Sequence, residues 1–146
     1  MRGQAIFVDT SFFYALLDER DADHEEAVRL AKAVHHRQIP LLTTWEVVVE
    51  TVTLLRVRHS YRAAMVFIEE ILPHLNVIYL DEAGRSKALE AFRKLSRDKE
   101  ISLCDAISYV VVTESPEPLP CLAFDEDFQR MGLTVLAEIP DRDRGR

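Results

Sequence analysis

Near its start the chain reads Ala5-Ile6-Phe7-Val8-Asp9-Thr10-Ser11. A short apolar run that ends in a carboxylate and two hydroxyls is typical of a strand buried on both faces of a parallel sheet. In open α/β sheets, ligands bind outside the carboxyl ends of the strands. Asp9 therefore has two interpretations: the N-cap of the following helix, which is the commoner role at such a position, or a ligand at the rim of the sheet.

Four further apolar runs alternate with helical patterns, over residues 39–43, 77–80, 121–124 and 133–137. Strands that alternate with helices predict a parallel sheet with helices on both faces. We expect a three-layer α/β/α sandwich with a central, mainly parallel, five-stranded sheet. No linker or repeat divides the chain, so residues 1–140 form one predicted domain and residues 141–146 a charged C-terminal tail.

The composition is that of a soluble globular protein, since 48% of the residues are hydrophobic and 29% are charged. No apolar run approaches the ~20 residues needed to span a bilayer. The first apolar run ends at Asp9 and is therefore too short for a signal peptide. We therefore expect a cytoplasmic protein with no membrane partner. Cys104 and Cys121 lack the spacing of a metal site and are interpreted as reduced, packed thiols.

The net charge of -7 argues against a nucleic-acid partner when it is taken globally. The location of charge matters more than the sum, however, and residues 51–68 contain no acid but include Arg56, Arg58 and Arg62. This cluster is either a solvated helix face or a local surface for phosphates.

Four acidic residues lie where a parallel sheet places functional groups. Asp9 and Asp125 end two predicted strands, and Asp105 lies in the first turn of an apolar helix. Glu50 lies in the helix that follows the second strand. The ends of these elements can converge on one rim of the sheet.

Glu50 lies within the apolar residues 45–55, so we expect its side chain to be partly buried and to need a partner. Glu46 lies one turn earlier, but the pattern Thr43-x-x-Glu46 predicts that it belongs to a capping box. We therefore prefer Glu50 as the site residue. The alternative is a structural ion pair between Glu50 and a nearby arginine.

Four carboxylates gathered within ~5 Å would repel one another by about 3 kcal/mol for each pair at an effective dielectric constant of ~20. Such a cluster must take up protons or hold a cation. Oxygen ligands without a cysteine or histidine indicate Mg²⁺ or Mn²⁺. Carboxylate-bound Mg²⁺ is commonly used for phosphoryl chemistry, including phosphodiester hydrolysis.

The chain resembles the PIN domain family, and within it the VapC-type toxins of toxin–antitoxin pairs. The resemblance covers about residues 5–137 and depends on short motifs in the family's order. The motifs are Val8-Asp9-Thr10-Ser11, Leu42-Thr43-Thr44, Val49-Glu50-Thr51-x-x-Leu54-Leu55, Leu103-Cys104-Asp105-Ala106 and Ala123-Phe124-Asp125-Glu126-Asp127-Phe128. No single motif is specific, but the ordered set is fairly specific.

The resemblance implies a metal-dependent endoribonuclease that leaves a 5′-phosphate and a 3′-hydroxyl. Asp9, Glu50, Asp105 and Asp125 would be the catalytic residues and would hold one or two Mg²⁺ or Mn²⁺ ions. Asp127 would be an auxiliary ligand or simply an acid at a helix start.

The resemblance also assigns supporting residues and partners. Ser11 would orient Asp9, and Thr10 is a weaker candidate for the same role. Arg56, Arg58 and Arg62 are the candidate contacts to RNA phosphates. The family pattern further implies a homodimer and a small antitoxin protein that covers the site.

Two positions depart from the family pattern. Cys104 stands where a hydroxyl residue often precedes the third acid, and Phe124 stands where a threonine often precedes the fourth. Neither removes a predicted ligand, but both leave the metal affinity open.

Two other functions compete with the nuclease. A non-cleaving PIN-like module that binds RNA or protein is disfavoured by the intact acid set. A phosphatase with an aspartyl nucleophile commonly has a second Asp two residues later, where this chain has Ser11.

Overall fold

The computed structural model describes residues 4–141, which form a parallel sheet flanked by helices. The strands are β1 (Ile6–Val8), β2 (Leu41–Thr44), β3 (Asn76–Ile78) and β4 (Cys121–Leu122). The helices are α1 (Thr10–Leu17), α2 (His24–Arg37), α3 (Trp45–Arg58), α4 (Tyr61–Val66), α5 (Glu82–Leu95), α6 (Leu103–Thr113) and α7 (Asp127–Arg130). A π-helical turn, Phe67–Ile71, and a 3₁₀ turn, Leu72–His74, continue α4.

The strand order is β3-β2-β1-β4, and every pair is parallel. The chain therefore runs outward from β1 through β2 to β3 and then crosses back to place β4 on the other side of β1. This reversal makes the carboxyl ends of β1 and β4 a topological switch point, where open α/β sheets bind their ligands. The predicted parallel architecture is confirmed.

The core is built around β1, whose three residues are at most 1% exposed. Phe7 of β1 stacks on Phe128 of α7, with ring centroids 6.1 Å apart. Phe13 of α1 meets Phe67 edge-on at 5.1 Å. Helices α1 and α2 pack together, as do α3 and α4, while α5 packs against α6. The buried strand predicted from the apolar run is thus confirmed, and it fixes where the chain emerges at Asp9.

The sheet has four strands rather than the five that the sequence predicts. Residues 133–137 contribute one parallel bridge, between Cys121 and Val135. The bridge is closed by hydrogen bonds from Cys121 N to Thr134 O (2.8 Å) and from Leu136 N to Cys121 O (2.9 Å). Because β4 is itself only two residues long, it offers too little edge for a longer neighbour.

Residues 142–146 of the predicted tail lie outside the described residues. Within the described part of the chain, none of the helices has the length and apolar character needed to cross a membrane.

Candidate metal centre

Asp9 is 3% exposed and lies directly after β1. It is the N-cap of α1, and its Oδ2 accepts hydrogen bonds from the backbone nitrogen of Ser11 at 3.1 Å and from Ser11 Oγ at 2.7 Å. Both bonds fall on the same oxygen, so among the described residues Oδ1 accepts none. Asp9 is therefore the N-cap of α1, and this role leaves its Oδ1 atom to bind a metal ion.

Ser11 also connects Asp9 to the far side of the switch point. Its Oγ accepts hydrogen bonds from the backbone nitrogens of Phe124 (2.9 Å) and Asp125 (3.3 Å). One hydroxyl therefore holds the loop that leaves β4 against the first turn of α1. This arrangement is the one expected of a residue that orients Asp9.

Glu50 reaches the same place from α3. Its Oε1 accepts a hydrogen bond from Thr10 Oγ1 at 3.0 Å and lies 3.5 Å from Cys104 Sγ. Thr10 Oγ1 in turn accepts a hydrogen bond from Thr51 Oγ1 at 3.2 Å. Thr10 thus holds Glu50, as Ser11 holds Asp9.

The expectation that Glu50 is partly buried is wrong, because its side chain is exposed. The buried face of α3 passes through Val47, Val48, Thr51 and Leu55, and Glu50 lies beside this face. The alternative of an ion pair with an arginine is not found within the described residues.

The capping box predicted at the start of α3 is also wrong. The helix begins at Trp45, and the N-cap is Thr44, whose side chain accepts from Val47 N at 3.1 Å. Thr43 instead donates to Val8 O at 2.8 Å. Glu46 therefore has no capping role, and its Oε1 is buried without a hydrogen-bond partner among the described residues.

Asp105, Asp125 and Asp127 each offer a carboxylate oxygen within 4.8 Å of the others. Asp105 forms a capping box with Ser102, in which Ser102 Oγ accepts from Asp105 N at 3.0 Å and Asp105 Oδ2 accepts from Ser102 N at 3.4 Å. Asp127 also accepts from Arg130 at 3.3 Å. Asp127 is therefore both close to the other acids and partly neutralised.

Burial and mutual repulsion raise the pKa values of the central acids. Burial raises the pKa of Asp9 to about 6, with smaller contributions from Asp125 and Glu50, although the Ser11 hydrogen bonds oppose the shift. Burial, followed by the charges of Asp9 and Asp125, raises the pKa of Asp105 to about 7. Burial also raises the pKa of Asp125. The cluster therefore favours protons or a cation over four free carboxylates.

These residues line one cleft of about 450 Å³ at the switch point. It brings together all seven residues predicted as ligands or as their supports, which are Asp9, Thr10, Ser11, Glu50, Asp105, Asp125 and Asp127. Arg58 also lines the cleft. Arg56 and Arg62 are not among the described residues that line it.

Sequence reasoning missed Tyr14, Asp21 and Asp23, which also line the cleft. Asp23 matches an N-cap position, and it is the N-cap of α2, but its side chain makes no capping hydrogen bond. No pattern in the sequence distinguishes such an acid from an ordinary cap, because only the path of the loop after α1 carries it to the cleft.

The donors of the cleft suit a hard divalent cation, since they are carboxylate and hydroxyl oxygens. A sequence model of the PIN domain matches residues 6–133. The chain belongs to the PIN domain family.

This PIN domain is similar to named VapC proteins. It is 32% identical to the VapC ribonuclease of Archaeoglobus fulgidus over 127 residues, which cover 85% of this chain and 79% of the relative. It is 33% identical to the 23S rRNA-specific endonuclease VapC20 of Mycobacterium tuberculosis over 129 residues, which cover 87% of this chain and 94% of the relative.

Solved structures give the same fold. The crystal structure of Mycobacterium tuberculosis VapC20, described as a sarcin-ricin loop cleaving toxin, aligns with a TM-score of 0.80 and 31% identity over 90% of this chain and 98% of that chain. FitAcB from Neisseria gonorrhoeae aligns with a TM-score of 0.63 and 16% identity, over 89% and 95% of the two chains. The second likeness shows the PIN fold alone.

The two departures from the family pattern are accommodated in this PIN domain. Phe124 stacks on Phe12 with ring centroids 5.6 Å apart, and its backbone nitrogen rather than its side chain bonds Ser11. Burial and the neighbouring Glu50 raise the pKa of the Cys104 thiol, so Cys104 stays protonated beside Glu50.

Proposed function

We propose that this PIN domain is a Mg²⁺- or Mn²⁺-dependent endoribonuclease and the toxin of a VapBC-type toxin–antitoxin pair. The observation that carries the proposal is the convergence of Asp9, Glu50, Asp105 and Asp125 on one cleft at the switch point. The similarity to a VapC ribonuclease and to a 23S rRNA-specific endonuclease supports RNA as the substrate.

The metal would be held by Asp9, Asp105 and Asp125, with Glu50 completing the set and Asp127 as an auxiliary ligand. When bound, a divalent ion supplies an activated water nucleophile and charge stabilisation at the scissile phosphate. The chain's own residues position these ligands: Ser11 fixes the Asp9 carboxylate, and Thr10 fixes that of Glu50.

Arg58 is the residue of the predicted basic cluster that reaches the cleft. Its guanidinium is suited to contact a phosphate of the bound strand. The proposed reaction is hydrolysis that leaves a 5′-phosphate and a 3′-hydroxyl. The intact acid set disfavours the alternative of a non-cleaving binding module.

The test is cleavage of total RNA and of isolated 23S rRNA by the purified protein with Mg²⁺ or Mn²⁺. We expect cleavage that EDTA and Asp9→Asn both abolish. Asp98→Asn is a matched control, because it removes one carboxylate from an exposed position outside the cleft. Cleavage that survives Asp9→Asn, or no cleavage of any RNA, contradicts the proposal.

The proposal includes two protein partners, a second copy of the chain and a small antitoxin, and a cytoplasmic location. Light scattering after size-exclusion chromatography tests the dimer. Co-purification with the product of a neighbouring short reading frame, with loss of cleavage in the complex, tests the antitoxin.

A further inference from the structure

Trp45 and Tyr79 form a stacked aromatic pair on the surface, with ring centroids 5.9 Å apart and planes inclined by 26°. Trp45 is 44% exposed and Tyr79 is 67% exposed, although most large apolar side chains of this fold are buried. Aromatic rings left in water at this level are commonly part of a binding surface.

The pair lies on the same rim of the sheet as the metal centre. Trp45 directly follows β2 and Tyr79 directly follows β3, just as Asp9 follows β1. Thr44 pairs with Ile78, so β2 and β3 end level with each other. Phe7 pairs with Leu42, so β1 ends one residue before β2 in the register. Neighbouring strands lie about 4.8 Å apart, which places the aromatic pair one to two strands from Asp9 along the rim.

The charge of the cleft limits how it can hold a polyanion. Of the described residues that line it, seven are acidic and one, Arg58, is basic. The whole chain carries a net charge of -7. With Arg58 as the one basic residue among the described lining, contacts that do not depend on phosphate charge would add to RNA affinity, and base stacking on aromatic rings is such a contact.

We propose that Trp45 and Tyr79 form a stacking platform for an RNA base close to the scissile phosphate. The inference rests on the proposed ribonuclease function and adds a substrate subsite to it. A base on the platform positions the RNA so that a phosphate lies over the acids, at a distance of one or two β-strand spacings along the rim. Because every base has a π-face, the platform supplies affinity and position rather than a sequence code.

A second copy of the chain is the competing occupant of this surface. The position of the pair, on the same rim as the catalytic acids, favours the substrate.

Steady-state cleavage of a defined RNA oligonucleotide tests the platform through Trp45→Ala and Tyr79→Ala. We expect each variant to raise KM by about 10-fold and to leave kcat within about twofold, since stacking on one aromatic ring contributes that order of affinity. Trp45→Phe should restore most of the loss. The matched control is Tyr61→Ala, which removes a 65% exposed tyrosine from α4.

Fluorescence gives a second readout, because Trp45 is the sole tryptophan of the chain. In the Asp9→Asn background, RNA should quench this fluorescence with the same midpoint as the anisotropy of labelled RNA. The fold-loss caused by Tyr79→Ala should be equal at 50 and 200 mM salt, since stacking involves no counterion release.

Unchanged KM in both alanine variants, with cleavage intact, overturns the platform and leaves the ribonuclease function standing. A change in oligomeric mass in these variants, together with tryptophan fluorescence of the unsubstituted protein that follows protein concentration rather than RNA, assigns the surface to a second copy. Absence of RNA binding and cleavage in the unsubstituted protein overturns the proposed function itself.

Discussion

Ser11 Oγ lies 2.7 Å from Asp9 Oδ2 and donates a hydrogen bond to it. Ser11 Oγ itself accepts hydrogen bonds from the backbone nitrogens of Phe124 and Asp125. The end of β1 and the loop after β4 therefore share one hydroxyl. This contact sets both the orientation of Asp9 and its separation from Asp125, two of the proposed ligands.

Ser11→Ala removes this coupling. We expect metal affinity to fall by about 10–100-fold, as is typical when a group that orients a ligand is lost. The free energy of unfolding should fall by about 1–3 kcal/mol, because the backbone donors of the β4 loop lose their partner. Calorimetric titration with Mn²⁺ and chemical denaturation measure the two effects. Ser11→Thr, which keeps the hydroxyl, is the control, and Mn²⁺ binding by Ser11→Ala at the original affinity contradicts the role.

The raised pKa values of Asp9 (about 6) and Asp105 (about 7) predict how the metal-free protein responds to pH. Between pH 4 and 7 the folded chain holds protons that the unfolded chain has released, so stability falls as the pH rises. We expect the Tm in EDTA to be higher at pH 5 than at pH 8. Mn²⁺ should raise the Tm more at pH 8, where the acids are ionised and repel one another.

Thermal scans from pH 5 to pH 8, with EDTA or with Mn²⁺, check this dependence. Asp9→Asn should flatten the slope in EDTA and remove much of the Mn²⁺ effect, since one ionising group and one ligand are lost. Asp98→Asn, at an exposed position outside the cleft, should keep both. A Tm in EDTA that rises from pH 5 to pH 8 contradicts the prediction.

The end of β1 at Asp9 could be predicted from the sequence because a short apolar run followed by an acid is a local signal, whereas β4 ends at Leu122, two residues before the predicted end. That signal places Asp9 and Asp125 at the rim, and the sheet order then brings them together. The burial of Glu50 could not be predicted, because an apolar helix such as α3 does not show which side the rest of the fold covers. Tertiary packing buries Val47 and Thr51 and leaves Glu50 exposed beside them.

The path of one loop and the length of β4 account for the other differences between the sequence-based predictions and the structure. Asp23 has the pattern of a helix cap, and only the three-dimensional path of its loop carries it to the cleft. The apolar residues 133–137 read as a strand, but a strand needs a neighbour of similar length, and β4 offers two residues.

Arg58 is expected to contribute more to RNA affinity than Arg56, although both lie on α3 and both are exposed. Arg58 lines the cleft and Arg56 does not. Arg58→Ala should raise KM by about 10-fold and reduce the slope of log affinity against log salt by about 0.7, which is the loss of one phosphate contact on a single strand.

Arg56→Ala is the matched control, since it removes the same charge from the same helix. Its KM and its salt slope should stay close to those of the unsubstituted protein. Equal losses in the two variants would mean that the whole basic segment attracts RNA at long range, with no specific contact in the cleft.

Cys104 tests whether a hydroxyl is needed at the position before Asp105, where the resemblance to the family leads us to expect one. Its thiol lies 3.5 Å from Glu50 Oε1, and burial raises its pKa, so it acts as a neutral, weak donor. Cys104→Ser supplies a stronger donor at the same place and should keep cleavage within about threefold, with equal or tighter Mn²⁺ binding. Cys104→Ala is the control that removes the donor, and it should weaken Mn²⁺ binding slightly. Loss of cleavage in Cys104→Ser with the fold intact would show that the reaction requires the thiol itself. That result would contradict the role of Cys104 as a neutral hydrogen-bond donor.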